Sequence, residues 1–317
     1  MNQKALSSFL NGFAVVAVLS LFLWRLASNN WELDAEADQI GFIHFSNYFS
    51  SSTASLLSWL LFLWTLFYIS TLLQKHKLPE HRGLNYFAFA ILFLLFIGNQ
   101  WIALETALGV FLLFIGFRQL LKIHQQASVA MPLFLSGLCF GGASLVAFQL
   151  LLFTFIPFIA LSFFRPFKLK EHLILLVALS LPWYYFVGIS YLFDQSVVWP
   201  NWQISLPPFQ TLSTTWFHTA SAAIASIIAL LSVFSALGVQ SKLVVRSRNQ
   251  LNVIFTFLGL SLLQAFLFWS NPLSLLLLTA AFSFFYPWFL QSAKRPWLVQ
   301  LSILIAVLLE ITAEILG

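Results

Sequence analysis

The sequence predicts an all-α fold, a polytopic integral membrane bundle of about 11 transmembrane helices with a cytoplasmic N-terminus and a periplasmic C-terminus. Three observations predict it. The 317 residues are 60% apolar and only 8% charged, where a soluble domain carries about 25% charged residues. Phe occurs 37 times and Trp 12 times, an excess that suits lipid contact and interfacial anchoring. The third observation is a division of charge. Four of the 10 carboxylates, Glu32, Asp34, Glu36 and Asp38, crowd into the stretch 25–52 between two apolar segments. Almost every basic residue falls in loops that belong to the other face.

A span needs about 20 apolar residues, somewhat fewer where turns are tight. On that measure the first span is 7–27. It has no clean small-residue cleavage site before the acidic loop, so it is expected to stay as a signal anchor. The acidic outer loop 28–52 follows. The second span, 53–73, ends in Gln74-Lys75-His76-Lys77, and Pro79 breaks the helix beyond it. Spans at 84–98 and 101–118 are separated by the turn Gly98-Asn99-Gln100, and Arg118, Lys122 and His124 mark the exit of the latter. Spans 130–147 and 149–164 come next, followed by Arg165, Lys168 and Lys170. After the span 172–193 comes a second outer loop, 194–214, with Trp199, Pro200, Trp202, Pro207 and Pro208. The spans 215–238, 250–269, 273–291 and 297–316 complete the chain. Loops this short leave no room for a separate soluble domain, so 1–317 reads as one transmembrane domain.

With the N-terminus inside, 14 of the 15 basic residues fall on the inner face and only Arg25 outside. The net charge of +5 is therefore a topology signal and not a nucleic-acid footprint. The span 215–238 is rich in Ala and Ser, and small residues let helices approach closely in lipid. It is expected at the bundle centre. Gly137 and Gly141, four residues apart, predict close packing of the span 130–147. Most of the other spans are Phe- and Leu-rich all round and are expected to face lipid.

Ionisable groups inside lipid are costly and mark function by default. Glu105, Arg25 and His218 lie near the outer ends of apolar helices and are candidate binding residues. Glu105 lies about 6 Å into its helix at 1.5 Å per residue, so it either reaches interfacial water or pairs with Arg25. Glu310 and Glu314 share one helix face. In the acidic loop, Phe42, Phe45 and Phe49 recur at helical spacing and predict a short amphipathic helix on the outer interface. A carboxylate of that loop, Asp34 or Glu36, is the candidate catalytic base for an acceptor hydroxyl. A solvated loop without chemistry is the plainer reading.

No metal site and no cofactor is expected. His76, His81, His124 and His172 belong to the inner face and His44 and His218 to the outer, which precludes one four-histidine site. Cys139 is the sole cysteine, so no disulfide forms within the chain. The sequence has no HExxH, P-loop, GxSxG or dinucleotide fingerprint.

Two stretches carry a likeness. One is VFLLFIGFRQLLKIHQQ (110–126), continued by LFLSGLCFGGASLVAFQLLLFTFIPFIALSFFRPFKLKEHLILLVALSLPWYYF (133–186). The other is SKLVVRSRNQLNVIFTFLGLSLL (241–263). Over roughly 100–265 the chain resembles an uncharacterised family of multi-span inner-membrane proteins of Bacteroidota, a domain of unknown function some of whose members bear a carotene-oxygenase label. The resemblance implies a place in the bacterial inner membrane and no particular activity; the histidine distribution argues against an oxygenase.

Three functions compete. The first is a scaffold or accessory subunit in cell-envelope biogenesis, whose partners are the bilayer and other membrane subunits. The second is an envelope glycosyltransferase of the multi-span C-fold type, acting on a lipid-linked sugar. This reading is analogy at the level of fold. The third is a transporter, disfavoured by few intramembrane charges and no internal repeat.

Overall fold

The computed structural model describes residues 42, 51–75, 104–123, 129–194, 216–241, 243–268, 272–293, 301, 302 and 305. Among these residues every regular element is helical. The helices are α1 (Ser51–Lys75), α2 (Leu104–Lys122), α3 (Ala130–Val146), a 3-10 segment (Phe148–Thr154), α4 (Phe155–Phe164), α5 (Leu169–Leu192), α6 (Trp216–Gln240), α7 (Val245–Leu267) and α8 (Pro272–Ser292). Three stretches, Leu104–Lys122, Leu169–Leu192 and Ser247–Leu267, are long and apolar enough to cross a membrane. The expected spans 7–27 and 84–98 lie outside the described residues. Of 297–316 only 301, 302 and 305 are described, as helix.

The contacts fix how the helices run. Gly109 of α2 meets Ala147 and Leu150, whereas Gly116 meets Cys139 and Phe140, so α2 and α3 are antiparallel. Gly137 meets Ala178 and Gly141 meets Leu179 and Pro182, so α3 and α5 are parallel. The glycines explain the approach. A Cβ on Gly141 would collide with the Leu179 carbonyl oxygen, and one on Gly137 would stand 2.6 Å from the Ala178 Cβ. The expected close packing at this pair of glycines is present. Pro182 lies inside α5, and its ring occupies the space that Gly141 leaves open.

One end of the bundle gathers the tethers and the basic residues. Arg118 donates to the Tyr68 hydroxyl at 3.2 Å and lies 5.2 Å from that ring's centre. Gln240 donates to Asn252 at 2.7 Å, joining α6 to α7. Asn249 donates to the Phe163 carbonyl at 2.8 Å, joining α7 to α4. Arg165 pairs with Glu171 at 3.6 Å. Lys122, Lys168, Lys170 and Arg248 belong to the same ends of their helices.

The core sits where α2, the 3-10 segment, α7 and α8 meet. Phe114, Phe117, Phe153, Phe257 and Phe284 are all under 2% exposed. Their neighbouring ring centroids are separated by 5.2 Å for Phe153–Phe257 and up to 6.0 Å for Phe114–Phe284, the range of favourable aromatic pairs. This corrects two expectations. The Ala- and Ser-rich helix, α6, is not central among the described elements: it lays Ala229, Ser232 and Ala236 against α8 and exposes Ile227, Leu230 and Phe234. Its small residues bring one stripe close to one neighbour. The Phe- and Leu-rich α8 is instead enclosed, with Leu273, Leu277, Ala281, Phe284 and Phe285 at 0% exposure. A junction of four elements leaves a space that large rings fill and small residues do not.

Candidate functional site

The end of the bundle opposite the tethers carries the candidate site. Glu105 stands in the first turn of α2 and is 5% exposed. A carboxylate there is favoured by the positive end of the helix dipole. It lies one turn before Gly109, hence beside the junction of α3 and the 3-10 segment at Ala147.

Next to it Thr106 is fully enclosed. It shares a helix face with Val110, Leu113 and Phe117, so it sits above the phenylalanine cluster. Gln264 of α7 is seven residues beyond Phe257, on the same face, and is 0% exposed. Among the described residues the Thr106 Oγ1, the Gln149 Oε1 and both polar atoms of the Gln264 amide have no hydrogen-bond partner. An uncommitted buried polar group costs about 1–3 kcal/mol. The three side chains stand on three elements, α2, the 3-10 segment and α7.

A second feature ties the acidic stretch to this end. The Phe42 N–H donates to the Leu145 carbonyl at 3.2 Å. Its ring packs edge-on against Phe148, Trp183 and Phe186 with centroids 5.8, 5.1 and 5.5 Å away. Trp183 donates to the Ser144 hydroxyl at 3.0 Å, and Ser144 donates to the Gly141 carbonyl at 2.8 Å. Phe42 is thus an anchor on the bundle. Phe45 and Phe49, which would complete the expected amphipathic helix, lie outside the described residues.

Of the residues expected to act, Glu105 is placed as above. Arg25, Asp34 and Glu36 lie outside the described residues. His218 falls in the first turn of α6, and its side chain lies outside what is described. Asp34 and Glu36 precede the anchor by eight and six residues, so an extended chain carries them no more than about 29 and 22 Å from it. Among the described residues no three His, Cys, Asp or Glu gather as metal ligands. His172 is tied at the other end, with Nδ1 3.0 Å from the Lys168 carbonyl and its ring against Phe167.

Phe42, Thr106, Gln149 and Gln264 were not singled out by the sequence as site residues. Thr106, Gln149 and Gln264 are neutral, and ionisable side chains carry the larger cost inside lipid. An amide inside LSLLQAFL (260–267) carries the same warning on a smaller scale.

Compared with family models, characterised proteins and solved structures, the chain matches none.

Proposed function

We propose that the protein is a multi-pass protein of the bacterial inner membrane, with about 11 spans, acting as a scaffold or accessory subunit in cell-envelope biogenesis. The observation that carries this is α5. It leans on α3 and buries Glu171, Leu175, Ala178 and Ser190, while Leu176, Tyr184, Val187 and Ile189 stay more than half exposed. Such a helix has apolar surface for lipid and for another membrane subunit. The likeness to the Bacteroidota inner-membrane family belongs with this reading. The ring-filled junction of α2, α7 and α8 counts against a transporter with its path there.

The test is purification of the full chain from its native membranes in mild detergent, with a photo-crosslinking residue at Tyr184 or Val187. A stoichiometric subunit that co-purifies and is captured from both positions is expected. A solitary chain with lipid-only crosslinks would refute the role.

The Phe42 anchor favours a second reading, the glycosyltransferase on a lipid-linked sugar. It tethers a loop of four carboxylates to the end that holds Glu105. There Asp34 or Glu36 would serve as base, with Arg25 beside a phosphate. Transfer of radiolabelled sugar from a polyprenyl phosphate donor, lost in Asp34→Asn or Glu36→Gln, is the outcome this reading needs. No transfer by the parent protein would rule it out.

A further inference from the structure

We propose that the groove between α3 and α5 at the basic end holds one anionic glycerophospholipid, with its acyl chain in the groove and its phosphate at Lys168 and Lys170. The inference rests on the membrane reading above and is independent of the scaffold role. The groove has a volume of about 510 Å³ and is lined by Phe134, Leu169, Lys170, Leu173, Ile174 and Val177. Its origin is local. Gly137 and Gly141 draw α5 onto α3, and one turn earlier the α3 side chain is Phe134, which lines the groove. From Leu169 to Val177 the floor runs about 12 Å at 1.5 Å per residue, a slot for part of an acyl chain.

Charge selects the occupant. Lys168 and Lys170 are exposed, and neither has an ion-pair partner among the described residues. The one carboxylate between 129 and 193 is Glu171. It is 8% exposed and turned to Arg165 at 3.6 Å, which offsets its repulsion of a phosphate. His172 is held by the Lys168 carbonyl and by Phe167. The mouth therefore keeps two free cations over an apolar slot. A zwitterionic headgroup brings its own ammonium and gains less from two lysines than an anionic one.

The test is native mass spectrometry of the full chain in mild detergent, offered equal phosphatidylglycerol and phosphatidylethanolamine with identical acyl chains. One tightly held phosphatidylglycerol per chain is expected. Lys168→Gln with Lys170→Gln should weaken it about fivefold per charge removed and leave phosphatidylethanolamine unchanged. Val177→Trp, which fills the slot without touching charge, should also expel the lipid. Leu176→Trp, off the groove, is the control for folding. Millimolar inorganic phosphate should not displace the lipid. Displacement by phosphate would assign the lysines to a free anion and overturn the proposal. Equal retention by the parent and the double lysine variant, no preference between the lipids, or insensitivity to Val177→Trp would overturn it too. So would a parent chain that binds neither lipid, the result expected if another segment of the chain covers the groove.

Discussion

Phe42 donates its main-chain N–H to the carbonyl of Leu145 at 3.2 Å, at the point where α3 stops. The carbonyls of a helix's last turn have no partner within the helix. Ala147 turns extended, with φ −130° and ψ 100°, so the chain leaves α3 before those carbonyls are all used. A residue from the acidic stretch supplies the missing donor and seals the break with its ring.

Phe42→Ala should therefore destabilise the protein by about 1–3 kcal/mol, less than the 3–5 kcal/mol of a fully buried Phe→Ala because Phe42 is only half-buried. Trp183→Phe keeps an aromatic ring and loses one hydrogen bond, worth about 0.6 kcal/mol inside a membrane. Thermal melts in detergent, with limited proteolysis of the stretch 28–41, test the pair. Phe42→Ala should melt lower and be cut faster, and Trp183→Phe should behave almost as the parent. Identical behaviour of the two would remove the anchor.

Gly141 and Gly142 are neighbours with opposite prospects. A Cβ on Gly141 collides with the main chain of α5 at Leu179, whereas one on Gly142 meets only Leu112 Cδ1 at 3.9 Å. Backbone cannot step aside as a side chain can, so Gly141→Ala should cost about 1–3 kcal/mol by overpacking. Gly142→Ala should be neutral or stabilise by up to about 1 kcal/mol through helix propensity. Gly141→Ala should melt below the parent, and Gly142→Ala at or above it. A loss at Gly142 equal to that at Gly141 would contradict the packing of α3 on α5.

The two ends of the bundle give a topology test. Tyr68, near the end of α1, meets Arg118 at the basic end, so Ser51 at the start of α1 belongs to the opposite end. Ser241 follows Gln240, which is tied to Asn252 at the basic end. In a Cys139→Ser background, single cysteines at Ser51 and Ser241 should label differently in intact cells. An impermeant maleimide should reach position 51 and not 241. The reverse pattern would invert the proposed orientation.

The positions of eight helical segments were legible because apolar runs bounded by charge and Pro leave little choice. The expected spans 130–147 and 172–193 differ from α3 and α5 by no more than three residues at any end. The 3-10 segment was not legible. The run FQLLLFTFIPF (148–158) is apolar apart from Gln149 and Thr154, and no side-chain pattern distinguishes the tighter helix. The layering of helices was misread for a related reason. Small residues indicate that a helix can approach a neighbour, and say nothing of how many neighbours it has. In α8 and α6 those two properties part company. At the candidate site Glu105 was found because it is charged. Thr106 and Gln264 escaped because a neutral polar residue in a span is common and becomes informative only when burial shows that nothing answers it.

Glu105 permits a charge test that reaches the undescribed first segment. Its carboxylate is 5% exposed at the start of α2, and the sequence places Arg25 at the corresponding depth. If the two are a buried pair, removing either partner strands a charge at a cost of about 3–5 kcal/mol. If they are separate groups at the interface, each change costs under about 1 kcal/mol. The proposed site requires the first outcome. Glu105→Gln and Arg25→Gln should each lower the melting temperature in detergent, and the double variant should recover part of the loss, because neither charge then remains uncompensated. Additive losses would mean that Glu105 is stabilised by something other than Arg25, such as the dipole of α2. Three melts indistinguishable from the parent's would show that neither charge is held in a buried site.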